Sequence, residues 1–264
     1  MDNTIILPLI KILQNLPVEI TSIILLIICI ISILSLFKLF GAQGLYIHSI
    51  VAILAANIQV LKVIQFNFYH SPVALGTIVF SSTYLCSGIL SEHFGEQAAK
   101  KNIWYSFSAQ ILMTFLMLIT IGHKPLFLNN TNIINNFNNQ NNQHLILVEQ
   151  ALNTLFTPLP RILFASLISF IISQYIGILI FNLAKKFTLK KYIWLRTMAL
   201  LTFSTTIDTF LFNLLAWKLL SPTPLDFTII LHTYIICTLI TQGCITILST
   251  PVIYLSYFFK PIKI

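Results

Sequence analysis

Apolar residues in this chain come in long unbroken blocks, and the polar residues collect between them. The run at positions 23–31 is apolar on every helical face, whereas a half-buried strand would alternate with period two. Such runs suit helices bathed in lipid or bundled within a membrane, where every backbone polar group must be satisfied internally. At about 20 mostly apolar residues per crossing, the pattern predicts spans at 21–40, 44–64, 72–90, 103–121, 161–183, 197–219 and 227–257. That makes seven, or six if one of the first two is not a full span. The predicted fold is all-α: a polytopic integral membrane helix bundle of six to seven transmembrane helices, forming a single membrane domain over residues 1–264.

Composition breaks once, at 129–143, where nine of fifteen residues are Asn. So polar a tract cannot bury enough apolar area to fold alone. Residues 122–160 are therefore read as a polar, Asn-rich extracytoplasmic loop between a four-span and a three-span part. Within it, 145–155 is apolar enough for a short interfacial helix, ended by Pro158 and Pro160. Positions 21–40 follow no basic n-region and lack a small-residue cleavage site, so they read as a retained span rather than a signal peptide. A weak echo relates Tyr84, Gly88 and Trp104 to Tyr175, Gly177 and Trp194, in the manner of the parallel repeats found in some transporters.

Charge sharpens this outline. Only 8% of residues are charged and 57% are hydrophobic, more apolar surface than a soluble domain could bury. Of fifteen basic residues, ten fall on one side of the seven-span topology: Lys38, Lys100, Lys101, Lys185, Lys186, Lys190, Lys191, Arg196, Lys260 and Lys263. The positive-inside rule makes that side cytoplasmic, with the C-terminus inside and the N-terminus outside. It also accounts for the net charge of +8 without a directly bound nucleic acid. Cys29, Cys86, Cys237 and Cys244 lie in apolar spans with no CxxC pair, so neither a disulfide framework nor a zinc site is expected. The six histidines are scattered, mostly at span ends or in loops, and form no metal motif. With no Gly-rich phosphate loop and no serine paired to an embedded histidine base, the chain reads as a non-enzyme without cofactor. Its expected partners are the lipid bilayer and a small solute, with any coupling ion and the oligomeric state left open.

Three stretches place polar side chains where lipid-facing helices would avoid them. Asn57 and Gln59 carry amides able to read a heterocycle edge or to bond helix to helix. Glu92 stands at a span end, either as a functional carboxylate or as a surface partner of Lys100 or Lys101. The richest stretch runs from Arg161 through Ser166, Ser169, Ser173 and Gln174 to Arg196, Thr205, Asp208, Thr209 and Phe212. Asp208 sits mid-span, where an ionisable group costs roughly 2.5–3.5 kcal/mol on insertion scales and usually serves a substrate or ion path. Helical spacing puts Thr205, Asp208, Thr209 and Phe212 on one face. The alternative for Asp208 is a buried ion pair with an arginine, Arg161 or Arg196.

At these residues the sequence resembles the queuosine-precursor transporter family, also called the vitamin uptake transporter family. The resemblance spans about 44–257 and rests on Ala56-Asn57-Ile58-Gln59-Val60, Ser91-Glu92 with Gly95, Arg161 through Ala165-Ser166, Ser173-Gln174, Trp194-Leu195-Arg196, Ile207-Asp208-Thr209 with Phe212, and Thr250-Pro251 through Tyr254. It implies a multi-pass importer in the bacterial inner membrane for queuosine precursors or queuine, 7-deazaguanine bases used in tRNA modification. A guanine-like edge suits the candidates: Asp208 or Glu92 to accept its N–H groups, and Asn57, Gln59, Gln174, Arg161 or Arg196 to donate to its carbonyl. Phe212, Phe170 or Tyr175 would stack on the flat ring. The family pattern commonly places aspartates where this chain has Gly88 and Gly177. Protonation of Asp208 is a candidate coupling event. Two alternatives stay open, a binding component needing an ATPase partner and a transporter of another vitamin-like or nucleobase-like solute.

Overall fold

The computed structural model describes residues 3–67, 69–124, 140–157, 159–188 and 192–259. An N-terminal helix α1 (Asn3–Asn15) precedes α2 (Val18–Phe40) and α3 (Ala42–Gln59). A two-stranded antiparallel hairpin, β1 (Val63–Phe66) and β2 (Tyr69–Ala74), leads into α4 (Gly76–His93) and α5 (Glu96–Gly122). Then come α6 (Gln140–Phe156), α7 (Leu159–Thr188) and α8 (Ile193–Asn213), the last running on into a π-helical segment, Leu214–Leu219. The final helix starts as the short α9 (Phe227–Ile229), widens into a π-helical segment at Ile230–Ile235, and ends as α10 (Ile236–Phe258).

The bundle is inside-out in the sense a lipid solvent demands. Ile23, Ile27, Ile28 and Ile31 on α2, and Leu112, Phe115 and Ile119 on α5, point outward, while Ser87, Asn102, Ser106, Gln110, Ser173 and Gln174 are buried. Among the described residues, five stretches are long and apolar enough to cross a membrane: Val18–Phe40, Glu96–Gly122, Leu147–Thr188, Ile193–Leu219 and Phe227–Phe258. The protein is thus a helical, multi-pass membrane protein. The expected count of six to seven is not reached on this criterion, because α3 and α4 are too polar. The reason lies in packing: fourteen of the eighteen residues of α4 are buried, so it faces other helices rather than lipid and carries Ser81, Ser82, Thr83, Ser87 and Ser91.

Two further differences from the apolar pattern are local. Residues 63–64 and 72–74 were expected to close the second span and open the third, with 65–71 between them, but 63–74 pair as the β-hairpin, with Val63 opposite Ala74 and Ile64 opposite Val73. β-branched residues on both strands favour this pairing. Helix α6 occupies the second half of the expected polar loop and covers 145–155, while most of the Asn-rich tract lies outside the described residues. His48, expected among residues at span ends, is buried inside α3, where Nδ1 lies 3.0 Å from Ser32 Oγ and Nε2 3.0 Å from Ser82 Oγ, tying α2, α3 and α4 together.

Helices α7 and α8 form the most extensively packed pair. The turn from α4 to α5 passes through Gly95 at φ +86° and ψ 173°, a conformation essentially confined to glycine. The C-terminal ends of α2, α4 and α10 meet the α7–α8 junction: Phe37 lies against His93, His93 Nε2 against Ser256 Oγ at 2.8 Å, and the Trp194 backbone N–H donates to Tyr254 Oη at 3.1 Å. Lys38, Lys100, Lys185 and Lys186 gather there, making it the lysine-rich end. The hairpin marks the opposite end.

Candidate functional site

A cavity of about 250 Å³ lies in the hairpin half of the bundle. Its wall comes from the C-terminal turns of α3 (Ala56, Asn57), the hairpin (Val63, Pro72, Ala74), the start of α4 (Thr77, Phe80), α7 (Ile162, Ser166), α8 (Asp208, Thr209, Phe212, Asn213) and the final helix (Tyr234, Thr238, Gln242). Mostly apolar walls with a few convergent polar groups are the usual make-up of a small-molecule site.

Asp208 forms the inner end of this cavity. Its Oδ1 accepts a hydrogen bond from Ser173 Oγ at 3.4 Å, Tyr84 Oη lies 2.9 Å from the same serine oxygen, and the Tyr84 and Ser169 hydroxyls also face the carboxylate. Among the described residues no lysine or arginine forms an ion pair with it. The alternative of a structural pair with Arg161 or Arg196 is therefore not what the structure shows. A carboxylate that is 7% exposed and held by hydroxyls alone keeps acceptor capacity for whatever enters. Across the cavity, Asn57 is also buried and its Nδ2 finds no partner. Further round the wall, Thr209 Oγ1 donates to Gln242 Oε1 at 2.9 Å, and Asn213 Nδ2 to the Thr209 carbonyl at 2.8 Å, which fixes one polar wall.

Of the candidates read from the sequence, Asn57, Asp208 and Phe212 line the cavity together. The others lie elsewhere. Gln174 Nε2 is turned to Thr83 Oγ1 at 3.4 Å. Gln59 Oε1 and Arg161 Nε are buried without a partner, yet neither residue is part of the wall. Glu92 and Arg196 pair with each other at 3.1 Å at the lysine-rich end, joined by Lys185 at 3.5 Å. The expected surface pairing of Glu92 with Lys100 or Lys101 gives way to this cluster, and Lys100 pairs with Glu96 instead, one helical turn away. Phe170 packs edge-on against Phe80, one layer behind the cavity.

Sequence reasoning missed Trp217 and Tyr234. Their rings stack with centroids 5.4 Å apart and planes 25° apart, and both line the cavity. Each sits in one of the two π-helical segments, which re-aim side chains relative to a regular helix and recur at functional sites. An apolar run reads the same whether its turns are α or π, so no sequence signal marked them. Gln242, at the boundary of the last span's polar positions, was legible as a buried amide but was not singled out.

Residues 74–256 match a family described as "Putative vitamin uptake transporter". A curated relative from Bacillus subtilis (strain 168), named "Probable queuosine precursor transporter", is 26% identical over 215 residues, covering 81% of this chain and 83% of its own length. No solved structure matches the chain.

Proposed function

We propose, from the premise that the chain belongs to the putative vitamin uptake transporter family, that it imports queuosine precursors or queuine, 7-deazaguanine bases, across the bacterial inner membrane. The observation that carries this reading is the Asp208 carboxylate at the inner end of the cavity, surrounded by hydroxyls and, among the described residues, without a basic partner. A guanine-like edge presents adjacent ring and exocyclic N–H donors, which a carboxylate accepts in parallel. The ring carbonyl then calls for a donor, and Asn57 Nδ2 is a buried donor without an acceptor. Phe80 and Phe212 supply apolar faces for a flat heterocycle. A volume of about 250 Å³ falls a little below the roughly 300–1,000 Å³ of sites for drug-sized ligands and suits a one- or two-ring solute.

Helices α3 and α4, each 18 residues and about 27 Å long, complete the five apolar crossings to seven. The lysine-rich end then faces the cytoplasm together with the C-terminus, and the cavity lies toward the outer face, as an importer awaiting substrate requires. In cells unable to make the precursors but supplied with them, the wild-type chain restores queuosine in tRNA. Asp208→Asn, expressed at the same level, loses at least about tenfold of that salvage, since hydrogen bonds to a charged group contribute about 1.5–3 kcal/mol. Equal salvage by the variant would remove Asp208 from the site, and no salvage by the wild-type chain would point to another solute.

A further inference from the structure

A half-buried charge cluster at the lysine-rich end, and partnerless polar atoms between it and Asp208, take no part in the cavity. The cluster centres on one carboxylate. Arg196 Nη2 lies 3.1 Å and Tyr257 Oη 2.5 Å from Glu92 Oε1, and Lys185 Nζ lies 3.5 Å from Oε2. Four helices, α4, α7, α8 and α10, thereby converge on Glu92. The arrangement is a poor static tie. Arg196 is fully buried, yet its Nε and Nη1 have no hydrogen-bond partner, although the Phe181 ring lies 5.9 Å from its guanidinium. Burying charge repays its desolvation only when the remaining donors are satisfied.

From Arg196 to Asp208 is twelve residues of α8, about 18 Å. Along this interval Ser204 Oγ, and Ser91 Oγ on α4, are buried without partners. Buried polar groups in proteins are otherwise paired in roughly 90% of cases or more. The same interval is closed by apolar side chains of the bundle core, among them Ile89, Ile178, Leu200 and Leu201. The Leu200 methyl groups lie 4.0 Å from where a Cβ on Gly88 would stand, and a Cβ on Gly177 would come within 1.8 Å of Ser204 Oγ. Polar atoms that lack partners beside an apolar plug, where Gly177 lets α7 close on α8, describe a passage in its shut form.

We propose that Glu92, Arg196, Lys185 and Tyr257 form an ionic gate, and that the solute path continues from the cavity along α8, past Leu200 and between Gly88 and Gly177, when that gate parts. The proposal rests on the transport reading above, but its test reads exposure rather than uptake. Cys244 is the exposed cysteine and the other three are buried, so a chain with all four replaced by Ser or Ala provides the background for single-cysteine probes in oriented membrane vesicles. A membrane-impermeant cationic methanethiosulfonate added from the lysine-rich side labels Ser204→Cys slowly while the gate is intact. Adding Glu92→Gln accelerates that labelling about tenfold or more, as a shift from a minor to a major open population requires. The same change slows labelling of Thr209→Cys from the hairpin side. Should Glu92→Gln lower the folded yield, Tyr257→Phe is the milder variant, with a smaller acceleration in the same direction. Labelling of Ser204→Cys that neither variant changes, while Thr209→Cys still reacts, overturns the gate. Uptake of the base with ungated labelling would sink the gate alone, whereas gated labelling without uptake would leave the gate standing and retire the assigned solute.

Discussion

Asn57 and Gln174 are both buried amides on helices that meet near the cavity, and they differ in what their donors find. Gln174 Nε2 reaches Thr83 Oγ1, whereas Asn57 Nδ2 is unsatisfied and faces the cavity. Truncating them should therefore separate binding from stability. Asn57→Ala is expected to leave the melting temperature of the detergent-purified protein nearly unchanged and to weaken binding of a deazaguanine base about five- to tenfold, the effect of one hydrogen bond of about 1 kcal/mol. Gln174→Ala leaves a buried polar group unpaired and should cost about 1–3 kcal/mol of stability, with affinity preserved in the folded fraction. If both variants lost stability and neither lost affinity, Asn57 would be packing glue of the kind common between membrane helices. Asp208, Asn57 and Phe212 were legible in the sequence because each breaks a local rule, as a charge, an amide or an aromatic ring on a polar face of an apolar span. Glu92 and Arg196 were equally conspicuous, but a sequence cannot say that two conspicuous groups pair with each other away from the cavity.

At the scale of elements, the apolar blocks predicted the cores of all the long helices, since lipid imposes length and hydrophobicity on each crossing independently of its neighbours. Departures arise where tertiary context decides. The hairpin at Val63–Ala74 takes in the expected connection at 65–71 and trims the span ends on either side, and the π-helical segments at Leu214–Leu219 and Ile230–Ile235 are invisible to hydropathy. Those segments carry Trp217 and Tyr234, so half of the aromatic wall depended on a feature without a sequence signal. The α7–α8 contact yields a separate prediction. Gly177→Leu has no room beside Ser204 and should cost about 1–3 kcal/mol through overpacking, seen as a lower melting temperature. Gly88→Ala meets only ordinary contact with Leu200 and should melt within about 0.5 kcal/mol of the parent, as substitutions that disturb no packing do. Similar destabilisation by both would mean that the two glycines play equivalent packing roles.

For the whole molecule, the polar residues are arranged in layers along the membrane normal: the cavity with Asp208 toward the hairpin, a closed stretch around Leu200, and the Glu92 cluster at the lysine-rich end. This order gives an importer a direction only if the lysine-rich end is cytoplasmic. A green fluorescent protein fused to the C-terminus should therefore fluoresce, whereas an alkaline phosphatase fused there should stay inactive; the opposite pair of results would invert the topology. The central claim, that a flat base bound at Asp208 crosses the bilayer through this chain alone, is met most directly by reconstituting the purified protein in liposomes and measuring entry of a 7-deazaguanine base. Saturable uptake above empty liposomes, reduced about tenfold or more by Asp208→Asn as expected for losing a charged acceptor, is the predicted result. Uptake no greater than that of empty liposomes, or equal uptake by wild type and variant, would contradict it.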